Sequence, residues 1–313
     1  MLKNNKHLIH YVPHGINPDL YKPLENEKKS KSFIDFYNKI YGKNKYDFVI
    51  GFVSRNMWRK NQTDLIIAYR SFCEELPKEK ADKCLLFLKT EPISDAGTDL
   101  LTIKDTFTGD YNVIINNDQF NFEQINFLYN TFDMYMNCSS NEGFGLGVAE
   151  AMMAGVPIAA TVTGGLQDQM GFVDDDGKPM EFNCEFATNI NMEYTKHGEW
   201  VYPMKATSRH VQGSPVTPYV MEEFLDFSTI KEAIKYWYNK TPEERKKCGL
   251  AGRKWAMNEG GINADNMGKE FIKAMDYTLE NFIPNKKFGL YKYDDHYNIK
   301  LLPKNKIGFN INK

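Results

Sequence analysis

Five short apolar runs between residues 46 and 161 alternate with stretches of helical period, and this alternation limits the fold more than any other feature. "YDFVIGFVS" (46–54), "CLLFLKT" (84–90), "YNVIIN" (111–116), "DMYMNCS" (133–139) and "VPIAAT" (156–161) are strand-length and apolar on both sides. A strand with two apolar faces needs cover on both, which parallel sheets receive from crossover helices. Helical stretches fill the gaps. "NQTDLIIAYRSFCEEL" (61–76) presents Leu65, Ile66, Tyr69 and Phe72 on one face, "TDLLTIKDTF" (98–107) follows, and "NFEQINFLYNTF" (121–132) opens on Asn121 as N-cap. "GLGVAEAMMAG" (145–155) stops at Gly155, with Pro157 just beyond. The expectation is an α/β fold, a parallel sheet flanked by helices.

Outside this block the reading is coarser. "HLIHYVP" (7–13) suggests a short strand ending at the turn His14-Gly15, and 28–41 an amphipathic helix. "GGLQDQM" (164–170) begins a turn into helix, and 174–218 is rich in Gly, Pro, Asp and Asn, so a long surface loop with one strand, "EWVYP" (199–203), is expected. Three helical segments follow near 229–239, 242–258 and 264–282, with Ser228 and Thr241 as N-caps and Pro242 at a first helical position. This gives one domain over 1–283, closed by the helices of 219–283, and a tail, 284–313, without clear period.

Charge and cysteines exclude several classes. A net charge of -2 and a pI of about 6.3 provide no field to steer the chain onto nucleic acid, while local contact with a membrane surface stays open. The five cysteines are odd in number, scattered and without a C-x-x-C pair, which argues against a disulfide framework or structural zinc and for a reducing, cytoplasmic compartment. No apolar stretch approaches the roughly 18 residues of a membrane span, and the N-terminus lacks a signal-peptide core.

Two constellations carry chemistry. In "NCSSNEGFGLGVAEAMMAGVP" (137–157) a buried strand runs into a Gly-rich loop that opens a helix. Gly143 and Gly145 allow close backbone approach, and the amides of Phe144, Gly145 and Leu146 would face a phosphate at the positive helix end. Glu142 and Glu150 would repel phosphate but accept from sugar hydroxyls, so the combination points to a ligand carrying both. Such turns also occur purely as packing. In "GFVSRNMWRKNQ" (51–62) a strand ends at Ser54 and is followed by Arg55, Arg59 and Lys60. Cations at a strand's carboxyl end can neutralise a diphosphate, though alone they read as a solvated turn.

These segments resemble the retaining GT-B glycosyltransferases with the Glu-x7-Glu signature, a group that includes sucrose synthases, bacterial mannosyltransferases and virus-encoded relatives. "EGFGLGVAEAMMAGVP" is similar to the signature, "SRNMWRK" to the family's Arg-x4-Lys turn, "YVPHGINPDLYKP" to the opening of its C-terminal domain, "TGGLQDQM" to its Gly-Gly turn and "TPEERKKCGLAGRKWAM" to its closing helix. The resemblance implies a Rossmann-like sheet corresponding to the C-terminal, donor-binding domain. It implies that Arg55 and Lys60 hold the donor diphosphate, that Glu142 meets the transferred sugar, and that Gly143, Phe144, Gly145 and Leu146 offer amides. It further implies that Glu150 holds the ribose and that the base lies near Lys89 to Pro92. The reaction implied is hexose transfer from a GDP- or UDP-sugar, leaning to GDP-mannose, to an unknown acceptor, with retention and no metal or other cofactor. The family's first domain has no counterpart in this sequence: either the chain is a piece of a longer protein or a separate chain supplies that half as a partner, and a non-catalytic nucleotide-sugar-binding module is the alternative.

Three other features read as bland. Asp174-Asp175-Asp176 could mimic a metal-binding Asp-x-Asp but precedes Gly177-Lys178-Pro179 and suits a solvated turn. His7 and His10 lack further ligands nearby. His14 is expected in a turn at the cleft's edge.

Overall fold

The computed structural model describes residues 8–25, 27–180, 186–283, 291–293 and 299–301. Six strands form one sheet: β1 (Phe48–Val53), β2 (Cys84–Lys89), β3 (Val113–Asn116), β4 (Met134–Asn137), β5 (Ile158–Thr161) and β6 (Val201–Met204). All pairings are parallel, in the order β3-β2-β1-β4-β5-β6. The register runs Phe48 to Cys84 through Val53 to Lys89, and Ile50 faces Met134.

The double-faced apolar runs are explained by the layers. Phe48, Ile50 and Phe52 share one buried cluster with Leu65, Tyr69 and Phe72 of α2 (Gln62–Glu74), Leu100 of α4 (Leu100–Phe107) and Trp237 of α7 (Phe227–Tyr238), with the single turn α3 (Lys78–Ala81) lying between α2 and β2. Val49, Phe87 and Tyr135 point the other way, into a cluster with Phe33 and Phe36 of α1 (Lys31–Tyr41), Phe127 of α5 (Phe122–Tyr129) and Val148 and Met152 of α6 (Leu146–Met153). Burying each such side chain stabilises by roughly 1.5–3 kcal/mol. The helix ends are chemically closed. Asn121 and Gln124 form a capping box on α5, and Thr241 and Glu244 form another on α8 (Pro242–Met257), with Pro242 in its first turn.

Three expectations are corrected. Residues 8–12 form no strand, and beyond them the chain makes only an isolated bridge, Ile16 to Asn263. The N-cap of α7 is Asp226, whose carboxylate accepts from the Thr229 amide at 2.7 Å, rather than Ser228. The loop expected up to 218 contains a hairpin instead, β7 (Ser208–Ser214) paired antiparallel with β8 (Thr217–Phe224). Gly213, Pro215 and Pro218 lie at or beside the turn and the residues from Ser208 to Gly213 are exposed on both faces, which erased the alternation that reveals a strand. Within 284–313, Tyr291–Tyr293 (β9) pairs antiparallel with Ile299–Leu301 (β10).

The chain divides into two compact units, one of 13–268 and a second of 1–12 with 269–313. The sheet lies wholly in the first, and α9 (Ala264–Asn281) crosses the division. In the second unit the His10 and Tyr277 rings meet edge to face at 5.2 Å. His7 and Cys184 lie outside the described residues, and the four other cysteines are buried free thiols.

Candidate functional site

The sheet reverses its winding between β1 and β4, since β2 and β3 extend one side and β5 and β6 the other. Crevices at such reversals open beyond the strands' carboxyl ends. Here a cleft of about 440 Å³ lies there, lined by Val53 and Arg55 after β1, Asn137 and Glu142 after β4, and Gly145 to Gly147 and Glu150 on α6. A hollow of about 500 Å³ lies at the opposite strand ends, around Asp133, Pro157 and Arg245. The Asp133–Arg245 ion pair (2.9 Å) borders it, and neither the Gly-rich loop before α6 nor the cations after β1 reach it.

The loop after β4 is shaped by glycine. Gly145 has φ of 89°, and a Cβ on it would meet Leu166 Cδ2 at 2.4 Å. Gly164, with φ of 44°, lies so close under Glu142 that a Cβ would come within 2.0 Å of that residue's carbonyl oxygen. The Gly165 amide donates to the same oxygen at 3.0 Å, so the Gly-Gly turn after β5 props up the loop. Gly143 differs, because a Cβ there would meet nothing within 4 Å. Among the described residues no acceptor takes the amides of Gly143, Phe144, Gly145, Leu146 or Gly147, so five donors gather at the start of α6.

The charges are arranged around Glu142. Its side chain is only 7% exposed, Arg59 Nη1 donates to Oε2 at 2.9 Å, Lys60 Nζ bonds Oε1, and Ser139 Oγ donates to Oε1 at 3.1 Å. Burial raises the Glu142 carboxyl, but Lys60 and Arg59 outweigh it and hold the group below its ordinary value. For Lys60 burial wins over the carboxylate, and its ammonium is lowered. Arg59 also donates to the Asn141 carbonyl at 2.8 Å, which ties the two constellations together. Arg55 stands apart, 76% exposed and 3.5 Å from Glu91, whose carboxylate also accepts from the Asn56 amide at 3.0 Å.

Glu150 sits deeper. Tyr129 donates its hydroxyl to Oε2 at 2.6 Å, and Tyr21 supplies a second hydroxyl. Burial raises the Glu150 carboxyl, and the two hydroxyls only partly offset that. Phe144 is buried with its ring 5.1 Å from that of His14, which faces the cleft. Leu146 is half exposed at the mouth.

Thus Arg55, Lys60, Glu142, Phe144, Gly145, Leu146 and Glu150 come together in one cleft, with Gly143 in the same loop. Lys89 to Pro92 do not line it: Lys89 stacks over Phe120 at 5.2 Å, and Thr90 is buried against Gln62. Sequence reasoning did not single out Ser139, Tyr21 or Tyr129 and treated Arg59 only as one of a cluster. Arg59 was visible as a cation, whereas the tyrosines reach Glu150 from distant positions and left no local signal. Asp174 closes a turn, accepting from the Asp176 and Lys178 amides at 3.0 and 2.8 Å, and among the described residues no group of three His, Cys, Asp or Glu is placed to hold a metal. Nor is any described helix long and apolar enough to cross a membrane.

Comparison with known proteins follows the same lines. Sucrose-phosphate synthase from Thermosynechococcus elongatus is 16% identical with a TM-score of 0.57, over 87% of this chain and 53% of that one. Anabaena HepE in complex with UDP and glucose gives 15% and 0.57, over 86% of this chain and 57% of that one. The C-terminal domain of the glycosyl transferase group 1 family protein LpcC from Francisella tularensis gives 15% and 0.51, over 78% of this chain and 98% of that domain. The chain therefore spans about half the length of the first two. No curated protein sequence matches it. At these identities the likeness establishes the fold, that of a GT-B glycosyltransferase domain, and residues 47–186 match the family described as glycosyl transferases group 1.

Proposed function

We propose that the cleft binds the diphosphate and sugar of a nucleotide-sugar and that the chain is the donor-binding part of a retaining hexosyltransferase. One observation carries this reading: the amides of Phe144, Gly145, Leu146 and Gly147 at the start of α6, unengaged among the described residues, share a cleft with Arg55, Arg59, Lys60 and the carboxylate of Glu150. The amides and cations suit a diphosphate, and they would stabilise the charge that builds on it as the bond to the sugar breaks. Lys60 and the arginines then take the part a metal ion plays elsewhere, so none is required. Glu150, ionised, would accept from ribose hydroxyls, and Glu142, once a phosphate takes over its cations, from the sugar. The proposed setting is cytoplasmic.

The second reading is donor binding without turnover. It draws on Glu142 holding both Arg59 and Lys60, which leaves the strongest cations engaged.

Calorimetric titration with GDP, UDP, ADP and their glucose and mannose conjugates tests the first reading. GDP-mannose follows from the sequence resemblance, and UDP-glucose from the HepE complexes. One nucleotide family should bind, and Glu150→Ala and Arg55→Ala should each weaken it. Indifference to all of them removes the proposal. Slow donor hydrolysis by the chain favours transfer, and binding with no hydrolysis favours the second reading.

A further inference from the structure

Ser140 and Asn141, the two residues before Glu142, are gripped by two separate parts of the chain. One is the turn after β1. The Ser140 amide donates to the Arg59 carbonyl at 2.8 Å, and Arg59 Nη1 donates to the Asn141 carbonyl at 2.8 Å. The other is the stem of the β7–β8 hairpin. Glu222 accepts from Ser140 Oγ at 3.2 Å and from Asn141 Nδ2 at 2.9 Å, and the Glu223 amide donates to the Ser140 carbonyl at 2.8 Å. Glu223, itself buried, also accepts from Thr163 Oγ1 and pairs with Arg209 at 3.0 Å. Thr163 immediately precedes the Gly-Gly turn that supports the Glu142 backbone.

The hairpin stem therefore touches both segments that carry Glu142, the loop after β4 and the turn after β5, yet neither Glu222 nor Glu223 lines the cleft. Hydrogen bonds to an ionised acceptor are stronger than neutral ones, and Glu222 makes two, with donors on adjacent residues. Two bonds to neighbouring residues fix the twist of that dipeptide as well as its place. A shift of Ser140 or Asn141 would move the partners of Arg59 and, one residue later, Glu142 and the amides at the start of α6. A site built on a loop keeps its geometry only if the loop is held from behind. Charge cannot be the contribution of Glu222, because a carboxylate beside an anion site opposes the anion.

We propose that Glu222 is a positioning residue for the cleft: through Ser140 and Asn141 it sets the place of Glu142 and of the amides at the start of α6. What that loop then holds rests on the donor reading above, whereas its placement by Glu222 does not.

The test has two readouts, both taken on the full chain well below its thermal unfolding. The first is calorimetric titration with GDP, UDP and ADP. Glu222→Ala should weaken binding of the preferred nucleotide by roughly three- to tenfold. Asn141→Ala breaks the same support from the loop side and should do likewise, and the double variant should lose little more than either single. Glu222→Gln should stay within about twofold of wild type, since Oε1 still accepts from Asn141 while Nε2 donates to Ser140 Oγ. The Ser140 hydroxyl then keeps its proton for the Arg59 carbonyl, 3.3 Å away. A purely electrostatic role predicts the opposite sign, tighter binding in both Glu222 variants. The second readout needs no ligand. Burial raises the Glu142 carboxyl, but Lys60 and Arg59 hold it below its ordinary value. Its titration, followed by carbon-detected NMR, should move up in Glu222→Ala and stay in place in Glu222→Gln. The proposal is overturned if Glu222→Ala binds as well as wild type or better, if Glu222→Gln loses as much as Glu222→Ala, or if the Glu142 titration is the same in all of them. If the wild type binds none of the three nucleotides, the donor reading falls and the Glu142 titration alone decides whether Glu222 places the loop.

Discussion

Glu142 Oε2 lies 2.9 Å from Arg59 Nη1 while Lys60 holds the other oxygen, so one nearly buried carboxylate joins the loops that follow β1 and β4. Removing one partner strands charge in a dry place. Lys60→Met should lower the unfolding free energy by about 3 kcal/mol. The double variant Lys60→Met/Glu142→Gln should lose less than the two singles summed, by at least about 1 kcal/mol. Denaturant titration of the four proteins checks this, and simple additivity would show the pair to be uncoupled. The pH dependence has a definite sign. The folded Glu142 carboxyl is held below its ordinary value, so its contribution is present above that ordinary value and is lost as pH falls through the lower folded one.

The Glu150 carboxyl shifts the opposite way, upward through burial. The folded state then keeps a proton that the unfolded state releases, so this group's contribution is best at low pH and declines as pH rises from the ordinary to the raised value. Tyr129→Phe deletes a hydroxyl that favours the ionised form and should push the value higher still. If ionised Glu150 accepts from ribose, nucleotide affinity should climb with pH through this range, and the climb should move to higher pH in Tyr129→Phe. A profile of the same midpoint in both proteins would separate Tyr129 from the site.

Glycines in the phosphate-type loop should behave differently from one another. A Cβ on Gly147 would come 2.3 Å from the Tyr135 hydroxyl and 3.1 Å from the Val53 carbonyl oxygen, and that hydroxyl already bonds the carbonyl at 3.0 Å. Gly147→Ala should therefore cost about 1–3 kcal/mol of stability. Gly143→Ala faces open space and should stay within about 0.5 kcal/mol of wild type. If a donor phosphate packs on that loop, Gly143→Ala should nonetheless weaken nucleotide binding. Unfolding curves and titrations on the two variants give both readouts.

What could be seen in the sequence follows from how local each signal is. The strands β1, β2, β4 and β5 announce themselves because both faces are buried, and Asn121 and Thr241 because a cap's partner is three residues away. The cleft was legible for the same reason, since its cations and its Gly-rich loop each sit on one short turn. The tyrosines on Glu150 come from 21 and 129, separations at which a single sequence carries no pairing signal. The hairpin stayed hidden because its polar stem and apolar tip alternate on neither face. The Gly-Gly turn showed in the sequence as a turn, but its close support of the Glu142 backbone is a three-dimensional fact.

Arg55 provides a last contrast within the cation cluster. Its side chain is 76% exposed and its only ion pair among the described residues, with Glu91, is 3.5 Å long, whereas Lys60 is 11% exposed and locked to Glu142. A surface pair of this kind contributes about 0–1 kcal/mol, so Arg55→Ala should leave thermal unfolding nearly unchanged. Its charge nevertheless borders the cleft, free to swing toward an incoming diphosphate. Donor affinity should then fall several-fold, with the loss shrinking as salt rises because the group is solvent-exposed. Lys60→Met should lose affinity with little salt dependence, since its charge is screened by protein rather than by ions. Titrations of both variants at low and high ionic strength separate the two roles, and an Arg55→Ala protein with wild-type affinity at low salt would take Arg55 out of the site.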